Sequence, residues 1–263
     1  MMAPVMPAAP ELLAWLRGRQ DELVELVTRM ATAESPSDVP DAQHDVREII
    51  ADELERRGFA VRRVPGRNSG GMLHARPAER RHGAPAQLIL GPLDTVWPIG
   101  TLKDMPGEER GDAMSGPGVY DLKGGIAQAV LALDALAHFG LAPTVAPPLF
   151  FNSDEEIGSR ESRRYIERLA PAMDRVLVLE PSLGPSGRLK TARKGIGRFT
   201  VTVTGEAAHA GLDPGRGASA ILELSHVIQE LFALNDLERG VTVNVGTIDG
   251  GLRPNVVAPS SQA

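Results

Sequence analysis

Acidic side chains follow three apolar stretches of the sequence, each at the point where a buried strand is predicted to end. Asp94 follows QLILGP, the run Asp154, Glu155 and Glu156 follows PLFFNS, and Glu180 follows RVLVL. Because the carboxyl ends of parallel strands line one crevice of an α/β sheet, we expect these carboxylates to converge. Clustered carboxylates raise one another's pKa unless a cation compensates their charge. The spacing therefore predicts a metal site at this edge of the sheet.

Asp121 lies in a glycine-rich loop, SGPGVYDLKGG, that leads into a predicted helix and could enter the same crevice. The loop lacks the spacing of phosphate-binding loops, and the Asp121 carboxylate would repel a phosphate. Each acidic residue also has a plainer interpretation, because a carboxylate after a strand often caps a helix or lies in a solvated turn. The run from 154 to 156 could be a first-turn cluster that the helix dipole stabilises.

Pro92 is the unexpected residue of the first acidic segment, GPLDTVW. A metal site built on this loop would need a ligand such as His about two residues before Asp94. Proline has no donor atom in its side chain. Either the loop is not a metal site, or it is one that has lost a ligand.

The composition excludes several classes of protein. With 34 acidic and 28 basic side chains and a net charge of -6, the chain has no general basic surface for a nucleic acid or an anionic membrane. The absence of cysteine leaves His, Asp and Glu as ligands for a transition metal. No secretory signal pattern and no apolar stretch of membrane-spanning length is present, so we expect a soluble, cytoplasmic protein.

The hydrophobic pattern predicts an α/β domain followed by a smaller α+β domain. Strands without polar alternation, separated by helices, indicate a mostly parallel sheet flanked by helices over residues 1–192. Strands with period-two alternation around one helix indicate the second domain, over residues 193–263. The predicted helices are 11–30, 43–57, 124–139, 161–169 and 218–234, and the predicted strands are 59–64, 88–90, 148–151, 175–179, 197–204 and 241–248, with a further strand beginning near 255.

One histidine in the second domain has a context that suggests a role. His209 lies in GEAAHAG, after the first strand of that domain, and its small neighbours leave the ring room to project. A single loop histidine is more often a surface residue, so this pattern alone leaves both interpretations open.

Taken together, the segments LGPLDTVWP, GPGVYDLKGG, FNSDEEIGS, LEPS, TVTGEAAHAG and RPNVV resemble a known family. They are similar, in the same order, to the motifs of the di-zinc aminoacylase and glutamate carboxypeptidase family of metallopeptidases. The resemblance covers residues 11 to 257 and is strongest to bacterial glutamate carboxypeptidases. It implies amide hydrolysis of an N-acyl amino acid or a C-terminal glutamate-type peptide, a catalytic domain with a lid or dimerisation domain, and a homodimer.

The resemblance also implies a role for each motif residue. Two zinc ions would share the Asp121 carboxylate and polarise the scissile carbonyl, while Glu155 would act as the general base toward a metal-bound water. The remaining implied roles are zinc ligation by Glu156 and Glu180, orientation of a ligating His by Asp94, stabilisation of the oxyanion across a dimer by His209, and contacts to the substrate carboxylate by Asn255 and Arg188.

The sequence departs from the family pattern at two metal ligands. Pro92 stands where the family has a His, and the family's other metal-binding His belongs to a segment after the small domain that lies outside these 263 residues. The chain is thus expected to be C-terminally truncated relative to the family. Three hypotheses follow: a metallopeptidase, a non-catalytic relative that keeps the fold as a binding module, or a fragment of a longer protein.

Overall fold

The computed structural model describes residues 7–79, 83, 85–184 and 186–263. Its contacts divide the chain into two units, Met1–Arg188 and Leu189–Ala263. The first unit contains the helices α1 (Ala9–Arg17), α2 (Gln20–Thr32), α3 (His44–Arg56), α4 (Gly124–His138) and α5 (Arg163–Leu169), with short 3₁₀ helices at Pro40–Gln43, Thr101–Lys103 and Ala170–Ala172. Its strands are β1 (Phe59–Val64), β2 (Met72–Pro77), β3 (Gln87–Pro92), β4 (Glu108–Arg110), β5 (Ala113–Ser115), β6 (Leu149–Asn152) and β7 (Arg175–Val178).

Among the described residues, five strands of the first unit form a mixed sheet in the order β1-β2-β6-β3-β7. The β6–β3 and β3–β7 pairs are parallel, as the sequence predicts, whereas β1–β2 and β2–β6 are antiparallel. The α/β class is confirmed, and the antiparallel half arises from β2, a strand that the hydrophobic pattern does not reveal. A second, two-stranded sheet pairs β4 with β5.

The sheet has a buried core on each face. One core packs α2, α3 and α4 against the sheet and includes Met30, Ile50, Ile126 and Phe151, all fully buried. The other contains Phe150 and Leu88, with Tyr165 of α5 packed against them. Since successive residues of a strand point to opposite faces, the pair Phe150 and Phe151 serves both cores. This explains why β6 reads as an unbroken apolar run.

The prediction of one helix over residues 11–30 is wrong, because the structure contains two helices separated at Gly18 and Arg19. Glycine is a poor helix former in a helix interior, and α1 ends here, with the Gly18 N–H donating to Ala14 O and the Arg19 N–H donating to Leu16 O. The chain then restarts as α2. No helix of the described residues is both long enough and apolar enough to cross a membrane.

The second unit contains the strands β8 (Thr202–Thr204), β9 (Asp249–Gly250) and β10 (Ser260–Gln262), the helix α6 (Ala220–Ala233) and a 3₁₀ helix at Pro214–Arg216. Its described strands form an antiparallel sheet in the order β8-β10-β9. Ser219 caps α6 by accepting the Leu222 N–H. The unit is α+β, as predicted.

The prediction of a strand over residues 241–248 is wrong. Within the described residues, this segment forms only an isolated bridge between Val241 and Asp236 and pairs with no neighbouring strand. Polar alternation requires only two different faces, whereas a strand also needs a partner for its backbone N–H and C=O groups. The predicted strand 197–204 is likewise shorter, since only Thr202–Thr204 pairs with β10.

Candidate active site: a carboxylate crevice

The parallel strands β6, β3 and β7 bring three acidic segments to one edge of the sheet. In register, Pro92 lies beside Asn152 and Leu90 beside Val178, so the strands end at nearly the same level. Asp94, the Asp154–Glu156 run and Glu180 begin just beyond those ends. The sheet topology therefore places these carboxylates along the same crevice, which we call the carboxylate crevice.

Asp94 is buried beneath the turn that carries Glu155 and Glu156. One carboxylate oxygen, Oδ1, accepts the Glu155 backbone N–H at 3.2 Å. The other, Oδ2, accepts the Glu156 N–H at 3.2 Å and the Ser37 hydroxyl at 2.7 Å. Burial raises the pKa of Asp94, and these hydrogen bonds oppose that effect. Asp94 therefore fixes the backbone of the two glutamates, a role that needs no histidine partner.

Asp154, the first residue of the acidic run, serves the fold of the turn. It is buried, and its Oδ2 accepts the backbone N–H groups of Glu161 at 2.7 Å and Ser162 at 3.1 Å. Its Oδ1 accepts from the Asn152 side-chain amide at 3.2 Å. Glu155 and Glu156, by contrast, are half-buried. The plain capping interpretation thus applies to Asp154, and the two glutamates are the residues that line the crevice.

Two glycines allow the Asp121 loop to approach the other segments. A Cβ at Gly118, which has a φ of +72°, would lie 2.7 Å from Thr95 Cγ2, next to Asp94. A Cβ at Gly125, in the first turn of α4, would lie 2.4 Å from Leu179 O, next to Glu180. Larger residues would push these segments apart. Asp121 lies on an extended, irregular turn between the two glycines, and its side chain is exposed.

The pKa of Glu156 reflects the negative charge of the carboxylates near it. Burial and the negative charges of Glu155, Asp121, Asp94 and Glu180 raise the pKa of Glu156 to about 7. Like charges that share a poorly solvated site resist ionisation together. A bound cation would remove this penalty by compensating the charge. The crevice thus has the electrostatic character of a cation site.

The donor atoms do not fit the two zinc ions that the resemblance implies. In the parts of the chain described by the structure, no three His, Asp or Glu side chains are grouped as a ready-made metal site. The groups around Glu156 supply carboxylate oxygens, whereas protein zinc sites generally use three or more ligands, mostly nitrogen or sulfur. Oxygen donors alone match the ligand type of Mg²⁺, Ca²⁺ or Mn²⁺.

Pro92 is compatible with the fold at the place where an imidazole is missing. It is the buried last residue of β3, beyond the final β3–β7 pair, Leu90 with Val178. Its missing N–H therefore lies beyond the residue pairs of β3 with β7, while Pro92 still pairs with Asn152 of β6. Its ring presents carbon atoms two residues before Asp94.

Two residues that the sequence did not single out lie next to the crevice carboxylates. Ser37 donates to Asp94, and Lys123 is a buried lysine two residues after Asp121. Burial lowers the pKa of Lys123 to about 7, against the opposing charge of Glu34. The sequence could have pointed to Lys123, because a lysine between the apolar Leu122 and two glycines is unusual. Nothing in the segment ESPSDVPD distinguishes Ser37 from its neighbours.

In the second unit, the structure brings His209 and Asn255 together. His209 and Val256 form a β-bridge, and the Ala210 N–H donates to Asn255 O at 3.0 Å. His209 Nδ1 accepts the backbone N–H groups of Gly211 and Leu212, so a neutral ring carries its proton on Nε2. His209 and Asn255 are both exposed.

Arg188, the third residue predicted to contact substrate or its oxyanion, belongs to the first unit. It is exposed, and its carbonyl accepts the Leu183 N–H at 2.7 Å. Its guanidinium is the group to which the resemblance assigns the substrate carboxylate. That role stays a prediction.

Comparisons with known proteins agree with this architecture. Residues 191–263 match the family model described as the peptidase dimerisation domain of the M20 group. Carboxypeptidase G2 of Pseudomonas sp. (strain RS-16) is 32% identical over 215 residues, which are 80% of this chain and 50% of the relative. A probable carboxypeptidase of Emericella nidulans is 31% identical over 246 residues, with coverages of 83% and 56%. The chain thus spans about half the length of these curated relatives.

Solved structures share the fold at low sequence identity. A tripeptidase from Staphylococcus aureus matches with a TM-score of 0.71 and 17% identity, covering 92% of this chain and 64% of the other. Sso-CP2, a metallo-carboxypeptidase of the M20 family from Sulfolobus solfataricus, matches with a TM-score of 0.62 and 15% identity, with coverages of 93% and 69%. The chain therefore shares its fold with these two peptidases. The match to the dimerisation domain and the curated relatives together support an M20-family, carboxypeptidase-like protein.

Proposed function

We propose that this protein is a metal-dependent hydrolase that cleaves the amide bond of an N-acyl amino acid or of a peptide ending in a glutamate-type residue. The proposal rests on one observation: burial, together with the charges of four nearby carboxylates, raises the pKa of Glu156 to about 7. Its relatives support the reaction class, since the curated ones are named carboxypeptidases. The raised pKa of Glu156 favours a bound cation, and the relatives favour a peptide substrate. Neither would be expected if the crevice carboxylates had a purely structural role.

The crevice carboxylates divide into three roles in this proposal. Asp121, Glu156 and Glu180 hold the divalent cation, and Asp94 keeps the turn of the glutamates in place through its two backbone hydrogen bonds. Glu155 accepts a proton from the attacking water and returns it to the leaving amine. A bound cation would polarise the scissile carbonyl and acidify water. The oxygen-only donors favour a hard cation such as Mn²⁺ over the zinc pair of the resemblance.

The second unit completes the proposed function. As the match to a dimerisation domain suggests, we propose that the protein forms a homodimer. His209 would then stabilise the oxyanion, for which the Nε2–H of its neutral ring is a suitable donor. Asn255 and Arg188 would contact the free carboxylate of the substrate.

Removal of the metal is the direct test of this function. With Mn²⁺ present, the protein is expected to release glutamate from an N-acyl glutamate, and chelation with EDTA should reduce the rate to background. Re-addition of Mn²⁺ should restore it. A substrate whose terminal carboxylate is converted to a carboxamide serves as the control and should be cleaved poorly. Hydrolysis that EDTA leaves unchanged would exclude metal dependence.

A non-catalytic relative is the second candidate, and Pro92 is the observation that favours it. The proline ring occupies the place of the family's histidine without disturbing β3. A chain selected only for its fold could keep such a substitution and retain the dimerisation domain as a binding module. A protein that forms a stable dimer but hydrolyses no N-acyl glutamate with Mn²⁺, Mg²⁺ or Zn²⁺ would support this alternative.

A further inference from the structure

Lys123 is a buried lysine that the proposed reaction does not use. Its side chain is 1% exposed, and Nζ donates to Met30 O at 2.9 Å and Ala33 O at 3.4 Å. These two carbonyls lie at the C-terminal end of α2, where helix carbonyls lack partners within the helix and favour a positive charge. The Lys123 ammonium thus caps a helix that is 90 or more residues away in sequence.

Packing alone does not explain a lysine at this position. Burial of an ammonium group costs free energy unless its donors are satisfied, and a methionine would fill a similar volume without that cost. The ammonium donates to main-chain carbonyls of α2 and its cap. Any effect of Lys123 on the crevice is therefore indirect, through the segments that it connects.

Ala33, one of the two residues that Lys123 contacts, begins the segment that holds Asp94 in place. We call residues 33–37 the cap segment. Within it, Ser35 Oγ donates to Leu93 O at 2.8 Å, and Ser37 Oγ donates to Asp94 Oδ2 at 2.7 Å. The backbone of Thr95 is bonded on both sides, since its N–H donates to Ser35 O at 2.9 Å and its carbonyl accepts the Ser37 N–H at 3.1 Å.

The cap segment is therefore attached both to the loop of Asp94 and to the loop of Asp121. The serines fix the loop of Asp94, while Lys123 attaches the loop of Asp121, which is also closed by the hydrogen bond from Lys123 N to Gly118 O at 2.8 Å. We propose that Lys123 is a positioning residue, which holds Asp121 in register with Asp94 by anchoring the Asp121 loop to the end of α2, where the cap segment begins. The inference rests on the proposed function, in which Asp121 is a ligand of the cation.

The test compares Lys123→Met with Leu54→Ala, a variant of the buried core that leaves the cap segment intact. In cation-free protein, Lys123→Met is expected to increase hydrogen exchange at residues 118–123 by about tenfold or more. Its affinity for Mn²⁺, measured by electron paramagnetic resonance well below the unfolding temperature, should fall by about 10- to 100-fold. Leu54→Ala should lower the unfolding temperature and leave the Mn²⁺ affinity unchanged.

Each alternative outcome has a distinct meaning. Unchanged exchange at residues 118–123 would overturn the anchor, and increased exchange with unchanged Mn²⁺ affinity would overturn the positioning role. If the wild-type protein binds no Mn²⁺, the proposed function fails, and the exchange result alone decides whether Lys123 holds the loop. If Lys123→Met does not fold, Lys123→Gln, a shorter polar side chain without the charge, carries the same comparison with the same expected directions.

Discussion

Replacement of Glu155 by glutamine is expected to reduce the rate of amide hydrolysis by about 10³-fold, within the range for loss of a general base. A glutamine side chain cannot accept the proton of the attacking water. The backbone N–H that Glu155 donates to Asp94 is retained, so the turn should keep its shape. The variant should therefore fold and bind the cation while losing the chemical step.

The same substitution has an electrostatic consequence for its neighbour. The charge of Glu155 is one of the causes that raise the pKa of Glu156 to about 7, so its removal should lower the pKa of Glu156. Release of glutamate from an N-acyl glutamate, measured at saturating Mn²⁺, gives the rate. Glu167→Gln, the same change at an exposed position of α5, is the matched control and should keep wild-type activity. Glu155→Gln with undiminished hydrolysis would exclude Glu155 as the base.

Introduction of a histidine by Pro92→His is expected to raise the affinity for Zn²⁺ by about 100-fold, comparable with other strong determinants of metal affinity. Residues two apart on an extended strand share a face, so the new imidazole would lie on the side of Asp94. It would add a nitrogen ligand to a crevice whose described donors are carboxylate oxygens. The substitution would thus shift the preference of the crevice toward zinc.

A competition between Zn²⁺ and Mn²⁺, followed by isothermal titration calorimetry, measures this shift. Pro92→Ala is the matched control, because it removes the ring without adding a ligand and should leave the Zn²⁺ affinity near that of the wild type. If Pro92→His and Pro92→Ala bind Zn²⁺ equally, the position does not face the cation. The assignment of Pro92 as a replaced ligand would then be wrong.

The first unit could largely be predicted because its signals are local. Unbroken apolar runs marked β3, β6 and β7, and parallel pairing then put their acidic followers at one edge. The strand β2 was missed because its sequence, MLHARP, mixes polar and apolar residues without a clear period. This strand forms because it pairs with β1 and β6. Such pairing between separate segments cannot be inferred from the hydrophobic period of one segment.

The candidate site could be predicted in its residue types but not in its division of labour. By their position after strands, Asp94, Asp154 and Glu156 are equivalent in the sequence, and only the resemblance gave Asp94 and Glu156 different roles. The structure separates them by burial and hydrogen bonding: Asp94 and Asp154 bind backbone N–H groups, whereas Glu156 meets other carboxylates. The support from Ser37 and Lys123 also escaped prediction, because each contact joins segments at least 57 residues apart.

The central claim is that the carboxylate crevice binds a hard divalent cation, and calorimetric titration of Mn²⁺ into the metal-free protein tests it most directly. The account predicts saturable binding in the wild type and its loss in Glu156→Gln. The affinity should strengthen as the pH rises through about 7, because a ligating Glu156 must first lose its proton. No binding by the wild type, or binding that Glu156→Gln leaves unchanged, would contradict the claim.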